Sequence, residues 1–244
     1  MIDAYIITLK NEESQLESTR RLVESIEKSG SEITPFSFDA TTPPRIDIHL
    51  ETQFDYFDWT SYKWSWPENK SSEEYCLKSG LYKPMYQANN QRKVEACLIS
   101  HMRLWEKCFL LDTPIIILES DSLFTRKFSV KDMDNCNGEI VGLNDPRGAT
   151  RRSQVFHERV SIREGFHNAP TVNKTGERCV PQGIAGNSAY YIKPYGAKIL
   201  LDLIMEFGGW PNDAIMCKEL LNNKLKVVYP YYTKVQGTKS TTTG

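Results

Sequence analysis

Apolar residues recur along this chain in two alternating rhythms. Ala4 to Leu9 is a β-rich run suited to a buried first strand. Glu12 to Lys28 follows with Leu16, Leu22, Val23 and Ile26 in charged surroundings, a helix closed by Gly30. Ile33 to Phe38 predicts a second strand, ended by the turn residues Asp39-Ala40-Thr41-Thr42-Pro43-Pro44. The opening is therefore a β-α-β unit. Val94 to Leu110 predicts an amphipathic helix with Cys97, His101, Trp105 and Cys108 on one face. Ile115-Ile116-Ile117-Leu118 is a continuous apolar run of the kind found in a central parallel strand, and it ends in Glu119-Ser120-Asp121. Glu139 to Leu143, Ser188 to Ile192 and Leu225 to Tyr229 read as further strands. Pro194 starts a helix that Gly208-Gly209 stops, and Asn212 or Asp213 caps a last helix to Leu221. The alternation predicts an α/β class: a mainly parallel central sheet flanked by helices, in one domain over residues 1–244.

Two stretches depart from this rhythm. Residues 45–92 form an aromatic-rich insert with Phe54, Tyr56, Phe57, Trp59, Tyr62, Trp64, Trp66, Tyr75, Tyr82 and Tyr86. Such aromatics build a satellite core, or they offer faces that pack on the C–H faces of sugar rings. Residues 149–181 are polar, without a long periodic segment, and read as a lid-like loop.

Composition narrows the classes. With 40% hydrophobic and 25% charged residues the chain is globular rather than disordered. The net charge of -1, from 30 Lys plus Arg and 31 Asp plus Glu, removes the general attraction that nucleic-acid binders use. No nucleic acid is expected as a partner. The N-terminal apolar run is short and flanked by Asp3, unlike a signal peptide, and no stretch reaches membrane-spanning length. A cytoplasmic protein without a membrane span is expected. Six cysteines without a C-x-x-C pair suggest reduced thiols, several of them core residues.

In open α/β sheets, ligands bind beyond the carboxyl ends of the strands, where Glu119-Ser120-Asp121 falls. Two acids one residue apart point the same way when extended, so Glu119 and Asp121 are candidate ligands of one divalent ion. A short acidic cluster that merely ends a strand in solvent is the plainer alternative. No G-x-G-x-x-G follows the first strand and no G-x-S-x-G is present, against a dinucleotide oxidoreductase and a serine hydrolase.

Ala96-Cys97-Leu98-Ile99-Ser100-His101-Met102-Arg103-Leu104-Trp105, followed by Ile115 to Asp121, resembles the signature of glycosyltransferase family 25. That signature is a Cys-x-x-Ser-His-x-x-x-Trp helix and then Ile-Leu-Glu-Asp-Asp. Ile7-Thr8-Leu9-Lys10, Arg20-Arg21 and Phe38-Asp39-Ala40 are similar to its opening elements. Gly186 to Ile192 with Gly196-Ala197, and Pro211-Asn212-Asp213, resemble its later ones. The family includes lipooligosaccharide and collagen galactosyltransferases. The resemblance implies a GT-A type nucleotide-sugar-binding fold and an inverting transfer of galactose or glucose. The donor is a UDP-sugar, the acceptor a saccharide or glycoconjugate, and Mn²⁺ (or Mg²⁺) assists. It directs attention to Thr8, Leu9, Lys10, Arg20, Asp39, Ser100, His101 and Ser120 for the donor, and to Asp213 as catalytic base. Trp64, Trp66, Gln182 and Asn187 are the acceptor-side candidates, with Glu119 and Asp121 as metal ligands. Each has a structural alternative: a core histidine for His101, a solvated helix face for Arg20 and Arg21, turn chemistry for Gln182 and Asn187, a helix cap for Asp213. Arg147, Arg151 and Arg152 either close over a diphosphate or form a wet surface. Ser120 stands where the family carries an acid, which raises the alternative of a catalytically inactive carbohydrate-binding protein of the same fold. A nucleotide-dependent transferase without metal is a third reading.

Overall fold

The alternating burial of β5, Ile115–Glu119, sets the architecture: Ile115 and Ile117 enter one core while Ile116 and Leu118 enter the other. A strand apolar on both faces must lie inside a sheet covered on both sides. The computed structural model describes residues 1–52, 54–57, 59–68, 73–84, 90–147, 153–170, 172 and 179–237. β1 (Ile2–Thr8), α1 (Glu13–Ser29) and β2 (Ile33–Asp39) form the expected β-α-β unit, β1 pairing parallel with β2 from Ile2↔Ile33 to Thr8↔Asp39. α1 buries Ser18, Leu22 and Ile26 and ends on Gly30, whose φ of 66° is the left-handed conformation glycine adopts freely. α2 (Ile46–Thr52) and the hairpin of β3 (Glu74–Cys76) and β4 (Leu81–Lys83) follow. α3 then spans Gln91–Leu111, capped by Asn90, whose side chain accepts from the Arg92 N–H (3.0 Å). Its buried Glu106 accepts the N–H groups of Asp55, Tyr56 and Phe57 at 2.9–3.3 Å, which ties the aromatic insert to the helix.

After β5 come β6 (Ser122–Phe124), β7 (Ile140–Gly142), α4 (Ser153–Val160), β8 (Gly165–Asn168), β9 (Ala189–Ile192) and α5 (Pro194–Phe207). The chain ends with α6 (Asn212–Ile215), α7 (Lys218–Leu221), β10 (Leu225–Tyr229) and β11 (Thr233–Val235). Among the described residues the main sheet has seven strands in the order β2-β1-β5-β9-β7-β10-β8. Five run one way; β9 runs against β5 and β7, and β8 against β10. β6 and β11 form a small antiparallel pair. This is the mainly parallel, helix-flanked α/β sheet that the alternation of elements predicts. α3 and α5 pack on each other over one face, and α1 lies against β6 on the side of the second core.

Three sequence expectations are corrected. Residues 153–168 hold α4 and the edge strand β8, so that part of the 149–181 stretch completes the main sheet. Both are short and half polar, which hid them. The last helix breaks at Met216 and Cys217 into two four-residue turns, and residue 211, a proline that offers no capping side chain, precedes the first. The aromatic-rich insert of residues 45–92, for which no element is expected from the sequence, contains α2 and the β3–β4 hairpin. Tyr86, Arg151, Arg152 and the tail from 238 lie outside the described residues. Among the described residues no helix is long and apolar enough to cross a membrane.

Candidate functional site

The carboxyl ends of β1, β2 and β5 lie side by side, since Ile7 pairs with Glu119 and Thr8 with Asp39. Glu119 leaves β5 with its N–H on the Ser188 carbonyl (2.7 Å). The chain then turns into β6, and Gln236 fastens the turn. The Gln236 backbone N–H donates to the Asp121 carbonyl (2.7 Å), and its side-chain amide donates to the carbonyls of Ser18, Ser120 and Ser122 at 2.9–3.2 Å. Ser120 is 3% exposed and its hydroxyl donates to Gln15 on α1. Glu119 and Asp121 face each other's charge instead: burial first, then Glu119, push the Asp121 carboxyl up from the ordinary range. Asp121 Oδ1 is buried and has no hydrogen-bond partner among the described residues. A buried, unpartnered carboxylate oxygen beside a second acid fits a hard divalent cation. The middle position of the motif points to α1, so a serine there removes no group from the carboxylate pair.

α3 supplies the wall behind Glu119. Its Trp105 Nε1, a donor only, donates to the Tyr190 hydroxyl (2.8 Å), and that hydroxyl bonds His101 Nδ1 (2.8 Å). His101 Nε2 then faces Glu119 Oε1 at 3.5 Å. Tyr190, His101 and Trp105 are fully buried, so this chain of polar groups runs from the core to the site. Cys97, four residues before His101, lies on the same side, its Sγ 3.9 Å from Asn212 Oδ1.

Asp213 arrives from a separate segment. Burial is the main cause that raises its carboxyl to about 6; Glu119 adds to the rise, while the N–H groups of Asp213 and Ala214 and the nearby His101 oppose it. Asn187, with its amide oxygen toward α6, accepts the Asp213 N–H (3.3 Å) and donates to the Ile184 carbonyl (3.3 Å). Gly183 packs so closely on α6 that a Cβ there would overlap the Asp213 carbonyl. Gly183→Ala is therefore expected to cost about 1–3 kcal/mol in thermal or denaturant unfolding. It should also lower transfer, and an unchanged protein in both respects would show that this contact is not tight.

The remaining sequence candidates divide by what their side chains bond. Leu9 and Lys10 follow β1, and Asp39 ends β2 in an ion pair with Arg45 (3.1 Å); these three sit at the open ends of the strands. Thr8 is turned inward, its hydroxyl against Thr19 (2.9 Å) and the Ile6 carbonyl (3.2 Å). Ser100 accepts the Thr41 N–H (2.8 Å) and donates to the Ala96 carbonyl (2.9 Å), which fixes the loop after β2. Arg20 lies on the exposed face of α1, paired with Glu13 (3.3 Å) and Glu17 (2.6 Å). The geometry thus gives Thr8, Ser100, Ser120 and Arg20 partners within the fold rather than a face toward the carboxylates. Arg147 folds back on Asp145, with Nη2 to Oδ2 at 2.6 Å.

The acceptor candidates also separate. Trp66 is 4% exposed and packs edge-on against Trp210 (centroids 5.3 Å), while Trp64 bridges Gly209. With its ring enclosed, Trp66 belongs to the larger of the two cores and offers no open face to a sugar. Trp210 leads through Pro211 into α6, so the pair braces the segment that carries Asp213. Gln182 bonds the Val172 N–H (3.3 Å) and the Gly183 carbonyl (3.1 Å), one residue from the Gly183 contact. Cys97 and Tyr190 were not singled out as site residues from the sequence; their i,i+4 and strand positions read equally well as core.

The sequence model of "Glycosyltransferase family 25 (LPS biosynthesis protein)" matches residues 1–216. No curated protein matches the sequence. Among solved structures, an active-site mutant of LgtC is similar at 10% identity, covering 93% of this chain and 72% of that one, with a TM-score of 0.40. The galactosyltransferase LgtC in complex with donor and acceptor sugar analogs is similar at 9% identity, covering 93% and 73%, with a TM-score of 0.39. The match over residues 1–216 places the chain in glycosyltransferase family 25.

Proposed function

We propose that this glycosyltransferase moves a hexose, galactose or glucose, from a UDP-sugar to a saccharide or glycoconjugate acceptor by direct, inverting displacement. The observation that carries the reading is a trio of carboxylates near enough to act on one another: Glu119 with Asp121 on the β5 turn, and Asp213, raised in part by Glu119, entering from α6. Glu119 and Asp121 would hold a divalent cation, Mn²⁺ or Mg²⁺. Such an ion supplies positive charge to the donor diphosphate and to the leaving phosphate. Leu9, Lys10 and Asp39, at the ends of β1 and β2, are the groups proposed to meet the nucleotide. Asp213, from a different segment than the cation ligands, is proposed to take the proton of the acceptor hydroxyl. Asn187 holds its backbone and Gln182 bonds Gly183, which packs on the Asp213 carbonyl, so both are proposed to act on the acceptor side through Asp213.

UDP is expected to raise the melting temperature only with Mn²⁺ or Mg²⁺ present, by roughly 2–3 kcal/mol of added stability at a hundredfold excess over Kd. UDP-galactose and UDP-glucose should be hydrolysed slowly under the same conditions. Equal stabilisation by UDP in EDTA would remove the cation from this reading, and no stabilisation under any condition would remove the UDP-sugar.

A further inference from the structure

Beside the two β5 carboxylates, α3 carries a donor set of different chemistry. Cys97 and His101 are four residues apart, so their side chains project from successive turns of one helix face. Glu119 closes the third side: Sγ of Cys97, a ring nitrogen of His101 and a carboxylate oxygen of Glu119 all lie within 4.8 Å of one another. The 3.5 Å between His101 Nε2 and Glu119 Oε1 is long for a hydrogen bond. It is close to the edge of a tetrahedron whose metal–ligand bonds are about 2.0–2.3 Å.

His101 is fully buried, and among the described residues Nε2 has no hydrogen-bond partner although it is aimed into this cluster. A buried nitrogen in that state costs free energy, which a ligand at Nε2 removes. The ring is also held as metal-binding imidazoles are held. Nδ1 is bonded to the Tyr190 hydroxyl at 2.8 Å, and that hydroxyl is anchored by Trp105 at 2.8 Å. When Nδ1 donates to the tyrosine oxygen, Nε2 presents its lone pair to the cluster.

Two carboxylates select a hard ion, whereas a thiolate and an imidazole select a softer one. We propose that Cys97, His101 and Glu119 form a binding site for a zinc-class divalent cation, three protein ligands with a fourth position open to water or a phosphate oxygen. Each ion bound displaces the Cys97 thiol proton, which passes to solvent as the sulfur–metal bond forms. The site shares Glu119 with the proposed donor site, but its binding requires no nucleotide and no turnover, so it stands or falls separately from the transferase reading.

Co²⁺ alone is the probe. Added to the metal-stripped full chain under reducing conditions, it is expected to give an intense near-ultraviolet sulfur-to-cobalt band that saturates at one equivalent and is bleached by Zn²⁺. Cys97→Ser should abolish the band, His101→Asn should weaken Zn²⁺ binding at least about 10-fold, and Cys179→Ser, at an exposed cysteine, should leave both intact. A parent protein without a sulfur band, or a band that survives Cys97→Ser, overturns the proposal. If Cys97→Ser does not fold, the rate of Cys97 alkylation in the native parent decides. Protection by Zn²⁺ supports the site, and equal rates with and without Zn²⁺ overturn it.

Discussion

Asp121→Asn is expected to reduce sugar transfer by roughly 10²–10³-fold while raising the melting temperature of the metal-free protein. The two effects have one origin. Burial and the neighbouring Glu119 push the Asp121 carboxyl up, and one of its oxygens has no partner among the described residues. A carboxyl whose folded value is raised holds its proton more tightly in the native state. Its contribution to stability is full at acid pH and is lost as pH rises through the raised value. At pH 8 the ionised pair therefore strains the fold, and asparagine relieves it by on the order of 1 kcal/mol, or about 2–4 °C in a chain of this size. Toward pH 4 the advantage should vanish. With Mn²⁺ and UDP the order should invert, because only the parent keeps both cation ligands, and the lost stabilisation of the leaving phosphate is worth several kcal/mol. Tm against pH in EDTA, set beside transfer rates in Mn²⁺, measures all of this. An Asp121→Asn protein that is less stable than the parent at pH 8 in EDTA, or that transfers at the parent rate, would detach Asp121 from the site.

What could be read from the sequence depended on how local each cause was. β5 and α5 were legible because their signals lie within the segment: an unbroken apolar run, and Pro194 before an apolar helix that Gly208 stops. α3 was legible for the same reason, although Asn90 as its cap became clear only from the structure. β8 was not legible, because an edge strand of four half-exposed residues needs no apolar alternation; its partner β10 supplies the order. The reversed direction of β9 was not legible either. A strand buried on both faces carries the same apolar signal whichever way it runs, and its direction is set by where the chain enters the sheet.

The site shows the same division. Glu119 and Asp121 were singled out from their place after β5, but the setting of Ser120 rests on Gln15, a partner 105 residues away that no local pattern reveals. His101 remained open between a core histidine and a site residue, and the core half is plain, since it is 0% exposed and tied to Tyr190, while Nε2 is turned toward Glu119. Trp66 was misplaced as a sugar platform because clustering shows that aromatics will pack, while the partner Trp210 shows on what.

Asp213→Asn is expected to lower transfer by about 10²–10⁴-fold, the range of a lost general base, without loss of donor binding. The alternative is that Asp213 serves only its helix. An acid in the first turn stabilises a helix by roughly 0.3–1 kcal/mol, and the Asp213 carboxyl does take N–H groups of its own turn. Yet α6 has four residues, so there is little helix to stabilise, and burial and Glu119 raise this carboxyl to about 6. A group placed to serve a helix dipole is held low, not raised. Asparagine bonds the same N–H groups but cannot take a proton, so it separates the duties. By the linkage argument above, Asp213→Asn should be at least as stable as the parent at pH 8, since the stability lost as pH rises through about 6 belongs to the carboxylate. UDP with Mn²⁺ should stabilise it as it does the parent, in contrast to Asp121→Asn. The acid limb of kcat/KM, which a base raised to about 6 places at or below that pH, should disappear from the residual activity. Transfer at near the parent rate, or an acid limb unchanged in the variant, would assign the proton to another group and leave Asp213 to its helix.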